Sequence, residues 1–145
     1  DGMDEKTFVG LMNLTAQALG LQKTHFINVT GLDPEDSAEI NYSSARDLTL
    51  LAQELLESPL IRQILSTPKI NLYGPELVNT NEFLGRISGV IGGKTGFTDK
   101  ALGCFLLILK APQDNGYLIN VGLGADDRFV EMEKLINWLN EAYKW

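Results

Sequence analysis

The chain has 145 residues, of which 44% are hydrophobic, which is enough for one compact domain with a real core and too short for two. Its formal net charge is -7 and its 12 basic residues are spread singly, so we expect no nucleic-acid partner. One cysteine excludes an intrachain disulfide, and no apolar run reaches the roughly 18 to 20 residues of a membrane span.

The first part of the chain predicts three helices and one long loop. Asp4-Glu5 places acid in a first turn, and apolar residues then repeat at helical spacing as far as a stop at Gly20. From Leu21 to Asn41 no period lasts, so we predict a long ordered loop. Ser44 to Asp47 has the spacing of a capping box and opens a second helix, and Ser58-Pro59 opens a short third one.

The second part of the chain predicts strands. Ile70 to Tyr73 and Glu76 to Val78 are short candidates on either side of a Gly-Pro turn. Ala101 to Lys110 and Tyr117 to Leu123 are longer β-rich runs that should pair antiparallel, with Lys94 to Thr98 beside them as a third strand.

The end of the chain predicts a closing helix. We assign the turn between the two long runs to Asn115-Gly116, and we expect the helix to begin near Asp126 or Asp127. The predicted fold class is therefore α+β: an antiparallel sheet of at least three strands with helices packed on it, in one domain.

The run from Gly92 to Asp99 carries the most specific chemistry in the chain. It reads Gly-Gly-Lys-Thr-Gly-Phe-Thr-Asp, follows a glycine-broken loop from Gly85 to Gly93, and precedes an apolar strand candidate. An exposed strand edge offers N–H and C=O groups to an extended peptide, and a lysine beside it attracts a carboxylate. Without that context, Lys94 could be a solvated lysine at a strand end.

Four segments in order resemble the serine D-alanyl-D-alanine carboxypeptidases, which are the low-molecular-mass penicillin-binding proteins. Together they cover most of the chain, and their order and spacing are more specific than a Lys-Thr-Gly tripeptide. The segments are Thr24-His25-Phe26-Ile27-Asn28 with Gly31-Leu32, Tyr42 to Leu48, Asn79-Thr80-Asn81, and Gly92 to Asp99 with Gly103-Cys104.

The resemblance implies a cell-wall enzyme outside the cytoplasm, in the periplasm or at the outer face of the membrane. Such enzymes trim the terminal D-alanine from peptidoglycan stem peptides through an acyl-enzyme and are acylated by β-lactam antibiotics. No metal or cofactor is implied.

The same resemblance implies a role for each residue of one strand. Lys94 would be the catalytic residue, a fixed positive charge that assists proton movement, and Thr95 would offer its hydroxyl to the substrate's terminal carboxylate. Gly96 would let the substrate backbone lie close along the strand. The main-chain N–H of Phe97 would supply one oxyanion-hole donor. Thr98 would complete the substrate-binding set, with a role in the following turn as its alternative.

Two departures qualify the resemblance. The family needs a Ser-x-x-Lys nucleophile and a Ser-x-Asn element, and the resemblance places both upstream of Asp1. Ser66-Thr67-Pro68-Lys69 fits Ser-x-x-Lys literally, but we interpret it as a decoy because no Ser-x-Asn separates it from Lys94. Thr80 stands near where some members place an arginine for the substrate carboxylate. We therefore expect residues 1–145 to be a partial transpeptidase-like domain, inactive alone.

Two other interpretations stay open. A non-catalytic module that binds peptidoglycan peptides or a partner protein would keep the substrate strand without the nucleophile, and a structural fragment without a ligand would have a buried Lys94 strand. The sequence upstream of Asp1 would distinguish the enzyme from the module.

We also expect Tyr117 to Leu123 to be an unpaired edge, covered by a missing N-terminal segment or by self-association.

Overall fold

A computed structural model provides the structure, which describes residues 2–35, 38–114 and 116–143. Within this part the chain has the predicted α+β fold. The helices are α1 (Glu5–Ala18), α2 (Ala45–Leu56), α3 (Pro59–Ser66) and α4 (Arg128–Ala142). The strands are β1 (Lys69–Ile70), β2 (Leu77–Val78), β3 (Val90–Thr98), β4 (Leu102–Lys110) and β5 (Tyr117–Ala125), with a 3-10 turn at Pro112–Asp114. No helix in these ranges is both long and apolar enough to cross a bilayer.

Each helix begins at a polar cap. The side chains of Asp4, Ser44, Ser58 and Asp127 accept hydrogen bonds from main-chain N–H groups in the first turn of α1, α2, α3 and α4, respectively. These bonds satisfy donors that have no partner inside the helix. The four predicted helices are therefore confirmed, and Asp127 is the cap of the last one.

The main sheet has the order β3-β4-β5, and β4 pairs antiparallel with both neighbours. Alternate residues of β4 point to opposite faces of the sheet. On one face Phe105 and Leu107 pack in a core cluster with Met132 of α4, and on the other Ile108 packs with Ala52 of α2. The sheet therefore has a helix on each face and holds β3 at one of its edges.

The limits of β3 differ from the prediction. The strand begins at Val90, so Gly92 and Gly93 lie inside the strand and not in the predicted glycine-broken loop. These glycines serve close packing, because a Cβ on Gly93 would come within 2.6 Å of the carbonyl oxygen of Leu106.

The limits of the other strands also differ. The first short strand covers only Lys69–Ile70, and its partner covers only Leu77–Val78. Tyr73 cannot belong to the strand as predicted, because it adopts a positive φ of 55°. The last strand continues to Ala125, two residues beyond the predicted end. Asn115, one of the two predicted turn residues, lies outside the described residues.

The outer edge of β5 leads to the first testable prediction. Within the described ranges β5 pairs only with β4, Ile119 and Val121 are half-buried, and Leu123 is exposed. Because unpaired edges recruit other strands, we expect residues 1–145 alone to self-associate or to be only marginally stable. Light scattering and thermal melting of the chain and of Val121→Pro, which loses a ladder donor, would test this expectation. A robust monomer whose Val121→Pro variant loses only folding stability would contradict it.

Candidate functional site

Two glycines bring β3 against its neighbours and so fix the strand that carries the predicted site. A Cβ on Gly92 would lie 2.8 Å from the Cβ of Leu65 in α3, and one on Gly93 would lie 2.6 Å from the carbonyl oxygen of Leu106 in β4. Real Cβ atoms do not approach other atoms so closely, and glycine in a strand often marks such an approach. The main chain directly before Lys94 is therefore held on two sides.

An open cleft of about 560 Å³ runs along β3. Its lining comes from β3, from α1 and the loop that follows α1, from the segment before β3, and from the first residue of α4. The lining residues are Lys94 to Phe97, Met12, Phe26, Asn28 to Leu32, Asn41, Thr80 and Arg128.

Four of the five predicted site residues meet in this cleft. Lys94 and Gly96 are exposed, Phe97 is 57% exposed, and Thr95 is only 7% exposed. The ammonium of Lys94 donates a hydrogen bond to the carbonyl oxygen of Thr95. Thr98 lies outside the lining, and its hydroxyl oxygen accepts a hydrogen bond of 3.0 Å from the N–H of Ala101 in the next turn. The exposed lysine rules out the interpretation that required a buried Lys94 strand.

The charged groups of the cleft lining are both cations, Lys94 and Arg128. No carboxylate is among the described residues that line the cleft, although the chain has 19 acidic and only 12 basic residues. The Arg128 guanidinium lies over the Phe129 ring, 4.9 Å from the ring centroid, and its buried Nε has no hydrogen-bond partner among the described residues. A cleft whose described lining has two positive groups and no negative one favours a ligand with an anionic group.

Arg128 is a cleft residue that the sequence pattern does not indicate. It follows the predicted helix start at Asp126 or Asp127, and no local motif signals that the first residue of α4 lies beside β3. The cap at Asp127 fixes where α4 begins, but the position of that helix end over the cleft depends on tertiary packing.

Polar side chains help to hold the cleft wall that α1 and the following loop form. The Asn13 side chain in α1 donates to the carbonyl oxygen of Phe26 at 2.7 Å and accepts from the Phe26 N–H at 2.8 Å. The carboxamide oxygen of Asn41 accepts from the N–H groups of Ile27 and Asn28, at 2.7 and 3.2 Å. These bonds satisfy main-chain groups that a loop would otherwise leave unpaired, so they order the loop.

A buried carboxylate anchors the start of the same loop to α2. Asp47, only 1% exposed, accepts hydrogen bonds from the main-chain N–H of Lys23 at 2.6 Å and from the hydroxyl of Thr24 at 2.9 Å. Burial raises the pKa of the Asp47 carboxyl, but hydrogen bonds, chiefly those from Lys23 and Thr24, lower that pKa by more. The ionised carboxylate is therefore the form that holds the loop.

The structure does not bring the Ser-x-x-Lys match to the cleft. Ser66 is exposed at the end of α3, and its hydroxyl donates to the carbonyl oxygen of Gln63 at 3.1 Å. Lys69 forms an ion pair with Glu76, with 3.2 Å between Nζ and Oε1. Ser66 therefore has neither a basic partner in Lys69 nor a place in the cleft lining. In the described ranges, no three His, Cys, Asp or Glu side chains are grouped as a metal site would require.

Comparison with known proteins gives a family match. A family model described as D-alanyl-D-alanine carboxypeptidase matches residues 2–127. The chain is 38% identical over 139 residues to D-alanyl-D-alanine carboxypeptidase DacA of Escherichia coli strain K12, covering 92% of this chain and 33% of that protein. It is 35% identical over 148 residues to D-alanyl-D-alanine carboxypeptidase DacF of Bacillus subtilis strain 168, covering 97% of this chain and 36% of that protein.

A solved structure shows the same fold. Penicillin-binding protein D2 of Listeria monocytogenes, in its cefotaxime-bound form, superposes with a TM-score of 0.79 at 33% sequence identity. The superposition covers 90% of this chain and 53% of that protein chain. The chain thus spans about a third of the length of the curated relatives it matches and about half of this solved relative.

Proposed function

Because this chain belongs to the D-alanyl-D-alanine carboxypeptidase family, we propose that it is the substrate-binding part of a serine-type carboxypeptidase. That enzyme removes the terminal D-alanine from peptidoglycan stem peptides outside the cytoplasm. The observation that carries the proposal is the cleft along β3, whose described lining has an exposed strand edge, two cations and no carboxylate. This arrangement fits an extended peptide that ends in a carboxylate.

In the proposed reaction, a serine hydroxyl attacks the peptide carbonyl before the terminal D-alanine and displaces that residue. Water then hydrolyses the acyl-enzyme and releases the shortened peptide, so one difficult step becomes two easier ones. Lys94 contributes a fixed positive charge beside the reacting groups, and the main-chain N–H of Phe97 donates to the developing oxyanion.

The substrate itself is held by other groups of the same strand. Thr95 offers its hydroxyl to the terminal carboxylate, and Arg128 adds a second positive charge on the same cleft. Gly96 leaves room for the substrate main chain to lie along β3. Thr98 supports the end of this strand through the turn that follows it.

We further propose that the nucleophile lies outside residues 1–145, in a longer protein that we call the intact enzyme. The described residues bring no serine with a Ser-x-x-Lys partner to Lys94, and the relatives are about three times as long as the region matched. The intact enzyme should react with β-lactam antibiotics, which is consistent with the cefotaxime-bound state of the Listeria relative.

The test of this proposal is acylation by a labelled penicillin, followed by mass spectrometry of the intact protein. We expect the intact enzyme to gain one covalent adduct and residues 1–145 alone to gain none, because Lys94 and the oxyanion donor then have no nucleophile to act on. An adduct on Ser66 of the isolated chain would contradict both the inactivity and the assignment of Ser66 as a decoy. An intact protein that never acylates would instead favour the non-catalytic module that binds peptidoglycan peptides.

A further inference from the structure

The hydroxyl groups of Thr80 and Thr95 face each other in the cleft, with 2.5 Å between the two Oγ1 atoms. From this contact we propose that Thr80 is a positioning residue: it orients the Thr95 hydroxyl toward the carboxylate of the substrate. The inference rests on the proposed function, in which Thr95 contacts that carboxylate. It adds a residue from a different segment of the chain, one that precedes β3 and does not belong to the Lys-Thr-Gly strand.

The segment that carries Thr80 is held on both sides. Asn79 donates from its main-chain N–H to the carbonyl oxygen of Pro68 at 2.8 Å and from its side chain to that of Thr67 at 3.1 Å. On the other side, the buried side chain of Asn81 accepts from the N–H of Phe83 at 3.1 Å.

Asn79 and Asn81, which hold the segment on either side of Thr80, are also connected to each other and to the core. The side-chain oxygen of Asn79 accepts from the N–H of Asn81 at 2.9 Å, and Phe83 is 1% exposed in the main core cluster. Thr80 therefore sits between two fixed residues, and its main chain has little freedom to move its hydroxyl away from Thr95. A stable contact of this kind can orient a neighbouring group, whereas a mobile one could not.

Hydrogen-bond donors explain why orientation matters here. Each threonine hydroxyl has one hydrogen to donate, and an ionised carboxylate can only accept. If Thr95 donated to Thr80, the hydrogen of Thr95 would not be available to the substrate. When a carboxylate is bound, Thr80 must donate to Thr95 so that Thr95 can donate to the carboxylate, and each bond in such a chain polarises the next.

The variant Thr80→Val in the intact enzyme tests the role, because valine keeps the shape of the side chain and removes its hydroxyl. We expect the rate constant for acylation by benzylpenicillin to fall about fivefold, the effect of losing one hydrogen bond between two neutral hydroxyl groups. Acylation by benzylpenicillin methyl ester, which has no free carboxylate, should stay unchanged. Thr80→Ser, which restores the hydroxyl, should recover the rate with the free acid.

A matched control is Thr49→Val. The Thr49 hydroxyl donates to the carbonyl oxygen of Ala45 within α2 and does not line the cleft, so this variant should leave acylation unchanged. If Thr80→Val acylates like wild type, or slows the acid and the ester equally, Thr80 has no carboxylate-specific role and the inference is wrong. If the wild-type enzyme reacted with neither benzylpenicillin nor its methyl ester, the proposed function would be wrong. The inference, which rests on that function, would then be wrong as well.

Discussion

Lys94→Ala in the intact enzyme is expected to slow acylation by a penicillin on the order of 100-fold or more, which is the size of effect seen when a group that stabilises transition-state charge is removed. The lysine lies on the exposed edge of β3, and the cleft lining that the structure describes has no carboxylate to neutralise its charge. Its positive charge is therefore available to the reacting groups.

The same substitution should have little effect on folding. Lys94 is exposed, and the only hydrogen bond described for its side chain goes to the carbonyl oxygen of the next residue, Thr95. Exposed substitutions of this kind usually change the free energy of unfolding by no more than about 0.5 kcal/mol. The expected result is thus a variant with a nearly normal melting temperature and a much slower acylation.

A suitable control for Lys94→Ala is Lys100→Ala, since Lys100 is exposed in the turn after β3 and does not line the cleft. This second variant removes an equal charge from a nearby position and should acylate at the wild-type rate. Equal acylation rates for Lys94→Ala and the parent enzyme, measured with a reporter penicillin, would remove Lys94 from the site. A comparable loss in both lysine variants would show that only the overall charge matters.

The two glycines that flank the Lys94-Thr95 pair should respond to alanine in opposite ways. A Cβ on Gly93 would lie 2.6 Å from a main-chain oxygen of β4, whereas a Cβ on Gly96 would meet nothing closer than the Cys104 Cβ at 3.7 Å. We expect Gly93→Ala to lower the free energy of unfolding by about 1 to 3 kcal/mol, as overpacking usually does. Gly96→Ala should leave stability almost unchanged.

Acylation should respond in the opposite way to stability: we expect Gly96→Ala, which leaves the fold stable, to impair it. Gly96 is exposed in the cleft, so a methyl group there occupies space that the substrate main chain would use, and acylation of the intact enzyme should fall. Denaturant unfolding and penicillin acylation of both variants would check the pair of expectations. A stable Gly93→Ala would show that β3 can move away from β4, and an unimpaired Gly96→Ala would place the substrate elsewhere.

Local chemistry made the helices predictable. The capping chemistry of Ser44 and Ser58-Pro59 and the acid at Asp4-Glu5 predicted three helix starts, and in the structure Asp4, Ser44 and Ser58 cap these helices. Here a hydrogen bond that spans three residues decides where an element begins, so a short window of sequence contains the necessary information.

The N-terminal half of β3 was less predictable, because glycine occurs both in loops and at close contacts between packed elements. Gly92 and Gly93 indicated a loop on the basis of conformational freedom, but in the structure they allow close contact between β3, α3 and β4. A Cβ at these positions would collide with atoms of Leu65 and Leu106, so only glycine fits. A sequence pattern does not show which residues will be neighbours in the fold.

The same limit applies to the site. Lys94 to Phe97 are consecutive, so one motif named all four, and the structure places them together in the cleft. Arg128, Asn28 and the Thr80 contact come from elements far apart in the chain. Tertiary packing alone brings them to β3, and the roles assigned to the motif residues remain predictions to be tested by substitution.

Because Asp47 anchors the cleft wall as a carboxylate, the stability of that wall depends on pH. Because the folded state lowers the pKa of this carboxyl below its ordinary value of 3.8, the folded state binds the proton less tightly than the unfolded chain does. The contribution of Asp47 to stability is therefore complete above the ordinary pKa and is lost as the pH falls through the lower folded value. Acid thus acts on the loop beside β3 through a residue that does not line the cleft.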